Sequence, residues 1–180
     1  MGAIYEVLST PFVYARKGIY HLRRATGSIP APARSVTRVS FGDDANQAFI
    51  LYEPAQVTHA ATIMYFHGGA YLVGAPESMD IAADVFNGWG YRFVSVGFRL
   101  LGAAPFPAQI EDAFCGVTAA CSYLDAHGAQ DCPVVLGGSS AGGHAAAVLC
   151  YSSALQEAYG LDVRRIRGLI SMAGVMDADD

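Results

Sequence analysis

Two rhythms of apolar and polar residues alternate along this chain, and the switching between them outlines the elements. Runs at about 35–41 and 47–53, joined around Gly42-Asp43-Asp44, predict an antiparallel hairpin. Continuous apolar runs of strand length then alternate with stretches of helical period. A strand near 61–66 precedes a helix near 78–89, with Ser78 as N-cap and Ile81, Val85, Phe86 and Trp89 on one face. A strand near 92–98 precedes a helix near 108–127, where Ile110, Phe114, Val117, Cys121 and Leu124 recur at helical spacing and Gly128 ends it. A strand near 133–137 leads into a helix near 141–158, stopped by Gly160, and a last strand spans about 166–174. Strands apolar throughout are those covered on both faces. Strand–helix alternation predicts an α/β fold with a mostly parallel sheet and helices on both faces.

Residues 1–32 read differently. Positions 3–26 suggest one or two helices, with Thr10-Pro11 restarting the second, and Ser28-Ile29-Pro30-Ala31-Pro32 is a linker to a core over 33–180. Ile4, Tyr5, Leu8, Phe12 and Ile19 with Arg16, Lys17, Arg23 and Arg24 make this segment aromatic, basic and amphipathic. Such a helix can lie on a membrane surface.

Composition narrows the class. The 180 residues are 53% hydrophobic and 15% charged, with a net charge of −5, a mean hydropathy of +0.30 and Lys17 as the only lysine. No basic patch points to nucleic acid. No run approaches the ~18 apolar residues of a membrane helix, and Glu6 and Pro11 interrupt any signal-like stretch. Cys115, Cys121, Cys132 and Cys150 lack metal or redox spacing and read as free thiols of a reducing compartment, so a cytoplasmic location is expected.

Chemistry enters at Gly138-Ser139-Ser140-Ala141-Gly142, between an apolar strand and an Ala-rich helix. G-x-S-x-G in a strand–turn–helix context is a nucleophile elbow, a tight turn whose flanking glycines let backbone pass close to the serine. Ser140 has glycine at −2 and +2, whereas Ser139 has Ala141 at +2, so Ser140 is the candidate nucleophile. A second motif, His67-Gly68-Gly69-Ala70, follows the apolar run Thr62–Phe66. Its glycines can turn amides toward a substrate. The candidate oxyanion hole is therefore the backbone of Gly68, Gly69 and Ala70 with that of Ala141.

On these residues the chain resembles the hormone-sensitive-lipase-like esterases of the α/β-hydrolase fold. That family's elbow appears as Gly138-Ser139-Ser140-Ala141-Gly142-Gly143, with Ser139 replacing the usual acidic residue. Its arginine- and proline-bearing segment appears, altered, as Phe98-Arg99-Leu100 through Pro105-Phe106-Pro107, followed by Glu111-Asp112. The resemblance spans roughly residues 35–176. It implies a serine hydrolase acting on a small-molecule carboxylic ester through an acyl-enzyme, without a cofactor. It also implies that the N-terminal helical segment caps the site, and that His67 shapes the oxyanion loop.

The triad's order in this fold is Ser, then Asp or Glu, then His. After Ser140 the only histidine is His144, one helical turn on and unable to swing back. By the resemblance, the acid and base lie beyond Asp180, which makes this an α/β-hydrolase core truncated after about the sixth strand and inactive alone. Asp177 is a weaker candidate acid. Two alternatives stay open: an amide or formamide hydrolase using the same machinery, and a non-catalytic protein whose open edge near 166–174 binds a partner as a homo-oligomer. Asp80 and Asp84 read as a solvated helix face and not a metal site. Glu111 and Asp112 read as acidic residues serving a helix dipole. Gly137–Gly143 lacks a P-loop lysine.

Overall fold

A computed structural model describes residues 33–174 and 176. The expected helical segment 1–32 and Asp177 lie outside the described residues. Six strands form one mixed sheet in the order β1-β2-β4-β3-β5-β6. β1 (Arg34–Ser40) and β2 (Ala48–Pro54) make the expected antiparallel hairpin, and β2 runs antiparallel to β4 (Arg92–Val96). β3 (Thr62–Phe66) lies parallel between β4 and β5 (Val134–Ser139), and β6 (Ile166–Met172) is parallel to β5. The mostly parallel sheet predicted by the strand–helix alternation is what the chain adopts, with the hairpin at its antiparallel edge.

The period of two divides the core. Phe49, Leu51, Met64, Phe66, Val94 and Val96 face one side, where Phe114 and Val117 of α2 (Ala108–Ala126) and Ala145, Ala146 and Leu149 of α3 (Ala141–Tyr151) cover them. Ile50, Tyr52, Ile63, Tyr65 and Phe93 face the other, against Ala83 and Phe86 of α1 (Asp80–Gly88). Every residue of β3 is buried, which explains its unbroken apolar run.

Four local expectations are corrected. Ser78 does not cap α1; it sits in a 3₁₀ turn, Pro76–Met79, and accepts the Ala75 amide. Val85 and Trp89 are exposed, and α1 buries Ala83, Asp84 and Asn87 instead, because Asn87 spans to the Tyr52 and Tyr91 carbonyls. Asp84 is no solvated carboxylate: it is ion-paired with Arg34, whose guanidinium also covers the Tyr52 ring. The helix expected over 141–158 breaks at Ser152 into α3 and α4 (Ser153–Ala158). Gln156 donates to the Leu149 and Cys150 carbonyls freed at that break, and α4 has no buried face to extend the helix.

Asp112 also departs from its expected role. It is buried, and its two oxygens accept four hydrogen bonds at 2.8 Å: the Arg99 amide, Arg99 Nε and Nη2, and Gln47 Nε2. It therefore ties the chain leaving β4 to α2 and to the β1–β2 connection. Asp112→Ala strands these donors, and with Arg99 partly exposed the expected loss is about 2–4 kcal/mol. Urea unfolding would read it as a lower midpoint with an unchanged slope.

Candidate active site

The parallel register pairs Phe66 with Gly138, so β3 and β5 end side by side. Loops leaving the carboxyl ends of adjacent strands are where open α/β sheets bind ligands. Here those loops are 67–75 and the turn at Ser140.

Ser140 is exposed and has φ 52° and ψ −119°, a backbone region that costs a non-glycine residue about 1–3 kcal/mol. Its amide donates to the Met172 carbonyl at 2.8 Å and its carbonyl opens α3 by accepting from His144. The glycines around it leave no room for side chains. A Cβ on Gly142 would lie 2.3 Å from the Phe66 carbonyl oxygen, and one on Gly138 would lie 2.2 Å from Gly142 backbone. One on Gly143 would lie 3.0 Å from Gly174 Cα. Strand β3, the elbow and the chain after β6 are packed backbone to backbone. Ser139, by contrast, is half-buried and meets the Tyr65 hydroxyl, which also donates to Met172 Sδ at 3.2 Å. Only one of the two serines projects from the turn into solvent.

Gly68 lies against the elbow, since a Cβ there would be 2.8 Å from the Ser139 carbonyl oxygen and 3.4 Å from Ser140 Cβ. Gly69 has φ 124°, Ala70 φ 53° and Tyr71 φ 60°. The Gly69 carbonyl accepts from Leu72 and Val73 and turns the loop back on itself. Ala141 is buried at the start of α3, where the first-turn amides have no partner within the helix. His67 is buried and stacked on Phe98 with ring centroids 4.4 Å apart, and its Nδ1 lies 2.8 Å from the Gly68 carbonyl. That contact ties its ring to the loop at Gly68.

The Tyr71 hydroxyl donates to the Ala141 carbonyl at 2.9 Å and lies 2.8 Å from His144 Nδ1. Burial raises the Tyr71 pKa well above that of a free phenol, so the group stays protonated. Burial also lowers the His144 pKa, so the imidazole is neutral at pH 7. His144 is thus committed to Tyr71, one turn beyond the serine. His127 is committed to the Tyr123 ring and carbonyl, and His59 stacks on Tyr91.

The family described as alpha/beta hydrolase fold matches residues 63–180, about two thirds of the chain. The chain belongs to the α/β-hydrolase family. The carboxylic ester hydrolase LipN of Mycobacterium tuberculosis is 28% identical over 152 residues, covering 83% of this chain and 36% of that protein. Human hormone-sensitive lipase is 32% identical over 109 residues, covering 56% of this chain and 9% of that protein. Esterase B from Lactobacillus rhamnosis superposes with a TM-score of 0.60 at 23% identity, covering 97% of this chain and 59% of that one. The chain spans about a third of the length of curated relatives such as LipN.

In this chain Gly68 lies against Ser140, the loop that continues through Gly69 and Ala70 follows β3, and Ala141 follows Ser140 at the end of the adjacent β5. Tyr71 was missed, since an aromatic after a glycine loop reads as core. The available signal was His144, a polar residue on an otherwise alanine-rich helix. Among the described residues no group of acidic, His and Cys side chains could hold a metal ion, and no helix is long and apolar enough to cross a membrane.

Proposed function

We propose that this chain carries the nucleophile and oxyanion hole of a carboxylic-ester hydrolase. Ser140 Oγ attacks the acyl carbon and loses its proton to a general base. The tetrahedral oxyanion is held by the amides of Ala141 and of Gly69 and Ala70, with Gly68 seating the loop. The alcohol then leaves with a proton, and water hydrolyses the acyl-enzyme to free the acid and restore Ser140. The observation that carries this reading is the exposed Ser140 at φ 52° on a glycine-packed turn, with Gly68 against it. The relatives named as carboxylic ester hydrolases and esterases support the reaction class. The base is assigned to sequence outside residues 33–174, because His127 and His144 bond to the Tyr123 carbonyl and the Tyr71 hydroxyl and His59 stacks on Tyr91.

Nitrophenyl butyrate hydrolysis by the 180-residue chain, with and without added imidazole, tests both parts. Without a base the expected rate is only about 10³–10⁴ over water. Imidazole, a diffusible base, is expected to raise it in the wild-type chain beyond the imidazole-dependent rate of Ser140→Ala. An equal response from both would refute the nucleophile assignment, and full turnover without imidazole would place the base within the chain.

A further inference from the structure

The oxyanion loop passes through three successive residues of positive φ, and two of them, Ala70 and Tyr71, are not glycine. Each costs about 1–3 kcal/mol and persists only where its surroundings over-determine it. Tyr71 supplies that determination. Its carbonyl accepts the Leu101 amide at 2.9 Å, and its ring meets Phe98 edge-on at 5.4 Å. Its hydroxyl reaches two atoms of α3, the Ala141 carbonyl and His144 Nδ1.

A phenol has one proton to donate. Were it given to His144, the phenolic oxygen would face the Ala141 carbonyl oxygen at 2.9 Å with no hydrogen between them. Both short contacts are favourable in one arrangement only. Tyr71 O–H donates to Ala141, and a neutral His144 donates Nδ1–H to Tyr71 Oη. That is the tautomer an unconstrained imidazole disfavours, so the site selects it.

We infer that Tyr71 is a positioning residue of the oxyanion hole, pinning the Gly69–Ala70 loop to Ala141 through a hydroxyl oriented by the Nδ1–H tautomer of His144. This rests on Ser140 and the loop amides being the machinery proposed above. The two sets of donors come from different elements, the loop after β3 and the start of α3. Their stabilising effect depends on both being held at one point before charge develops. Among the described residues, Tyr71 is the one side chain that bonds across that gap at the donor residue itself. It touches no reacting atom, so its removal leaves each donor chemically intact and loosens only their spacing. A displacement of about 1 Å in a catalytic site costs up to ~10²-fold, and the loss falls on kcat.

Nitrogen-15 NMR of the imidazoles in the 180-residue chain tests the clamp whether or not Ser140 reacts. At pH above the His144 transition, Nδ1 is expected to carry the proton and Nε2 to show the shift of an unprotonated nitrogen. In Tyr71→Phe, which removes only a hydroxyl, the signal is expected to revert to Nε2–H. An Nε2–H tautomer in the wild type, or one unchanged by Tyr71→Phe, overturns the inference. In the imidazole-assisted assay, Tyr71→Phe and His144→Ala are expected to lower kcat about tenfold at constant KM. His144→Asn, whose amide N–H stands where Nδ1–H stood, is expected to recover most of that loss. A wild-type kcat in Tyr71→Phe would also overturn the inference. If imidazole instead distinguishes nothing between wild type and Ser140→Ala, the nucleophile reading fails while the tautomer result still decides the clamp.

Discussion

Ser140→Ala is expected to lower kcat for ester hydrolysis by about 10⁶-fold where a complete triad is in place, and to abolish the imidazole-dependent gain of the 180-residue chain, with the fold intact. The size of the effect follows from what remains. Oxyanion donors and substrate contacts alone leave about 10³–10⁴ over water. The variant should not disturb the elbow, because it removes one oxygen and keeps the Cβ that Ser140 already holds at φ 52°. Unchanged far-ultraviolet circular dichroism beside a collapsed kcat is the expected pair of readings. Ser139→Ala separates the two adjacent serines. Its side chain is turned toward Tyr65, so its kcat should stay within a few-fold of wild type. A collapse in Ser139→Ala with activity kept in Ser140→Ala would reverse the assignment.

Gly69→Ala is the second large loss, expected at about 10²–10³ in kcat, the cost of an oxyanion donor. The new Cβ would lie 2.1 Å from the Val73 carbonyl oxygen and 2.9 Å from its carbon, which are backbone atoms that cannot rotate away. The residue also has φ 124°, a conformation that L side chains rarely adopt. The loop must therefore move. Because the Gly69 carbonyl accepts both the Leu72 and Val73 amides, movement at one residue displaces the whole turn. Steady-state kinetics should show the loss in kcat with KM little changed, since the donors act on charge that appears only in the transition state. A wild-type kcat would remove the loop from the oxyanion hole.

Much of this was readable from residue pattern, for physical reasons. β3 reads as an unbroken apolar run because both sheet faces are covered there, and Gly138, Gly142 and Gly68 stand where backbone meets backbone. Such glycines leave a visible spacing. Features that depend on long-range partners left none. Asp112 reads as a helix-start carboxylate until Arg99 and Gln47 are seen around it, and Asp84 reads as solvated until Arg34 closes on it. The break at Ser152 depends on Gln156 reaching back to two carbonyls, a choice that helical periodicity does not encode. Tyr71 is the instructive case. Its ring packs on Phe98 as a core residue would, and only the placement of its hydroxyl against α3 shows a second task.

The most direct test of the central claim is to incubate the chain with a nitrophenyl alkylphosphonate in imidazole buffer and locate the adduct by peptide mass spectrometry. Attack by a serine on phosphorus expels nitrophenolate and leaves a stable phosphonyl ester, a mimic of the tetrahedral intermediate. The account predicts one adduct, on Ser140, formed faster as imidazole increases and slowed by Gly69→Ala. An adduct on Ser139 or elsewhere, or labelling of Ser140 no faster than that of other exposed serines, would contradict it.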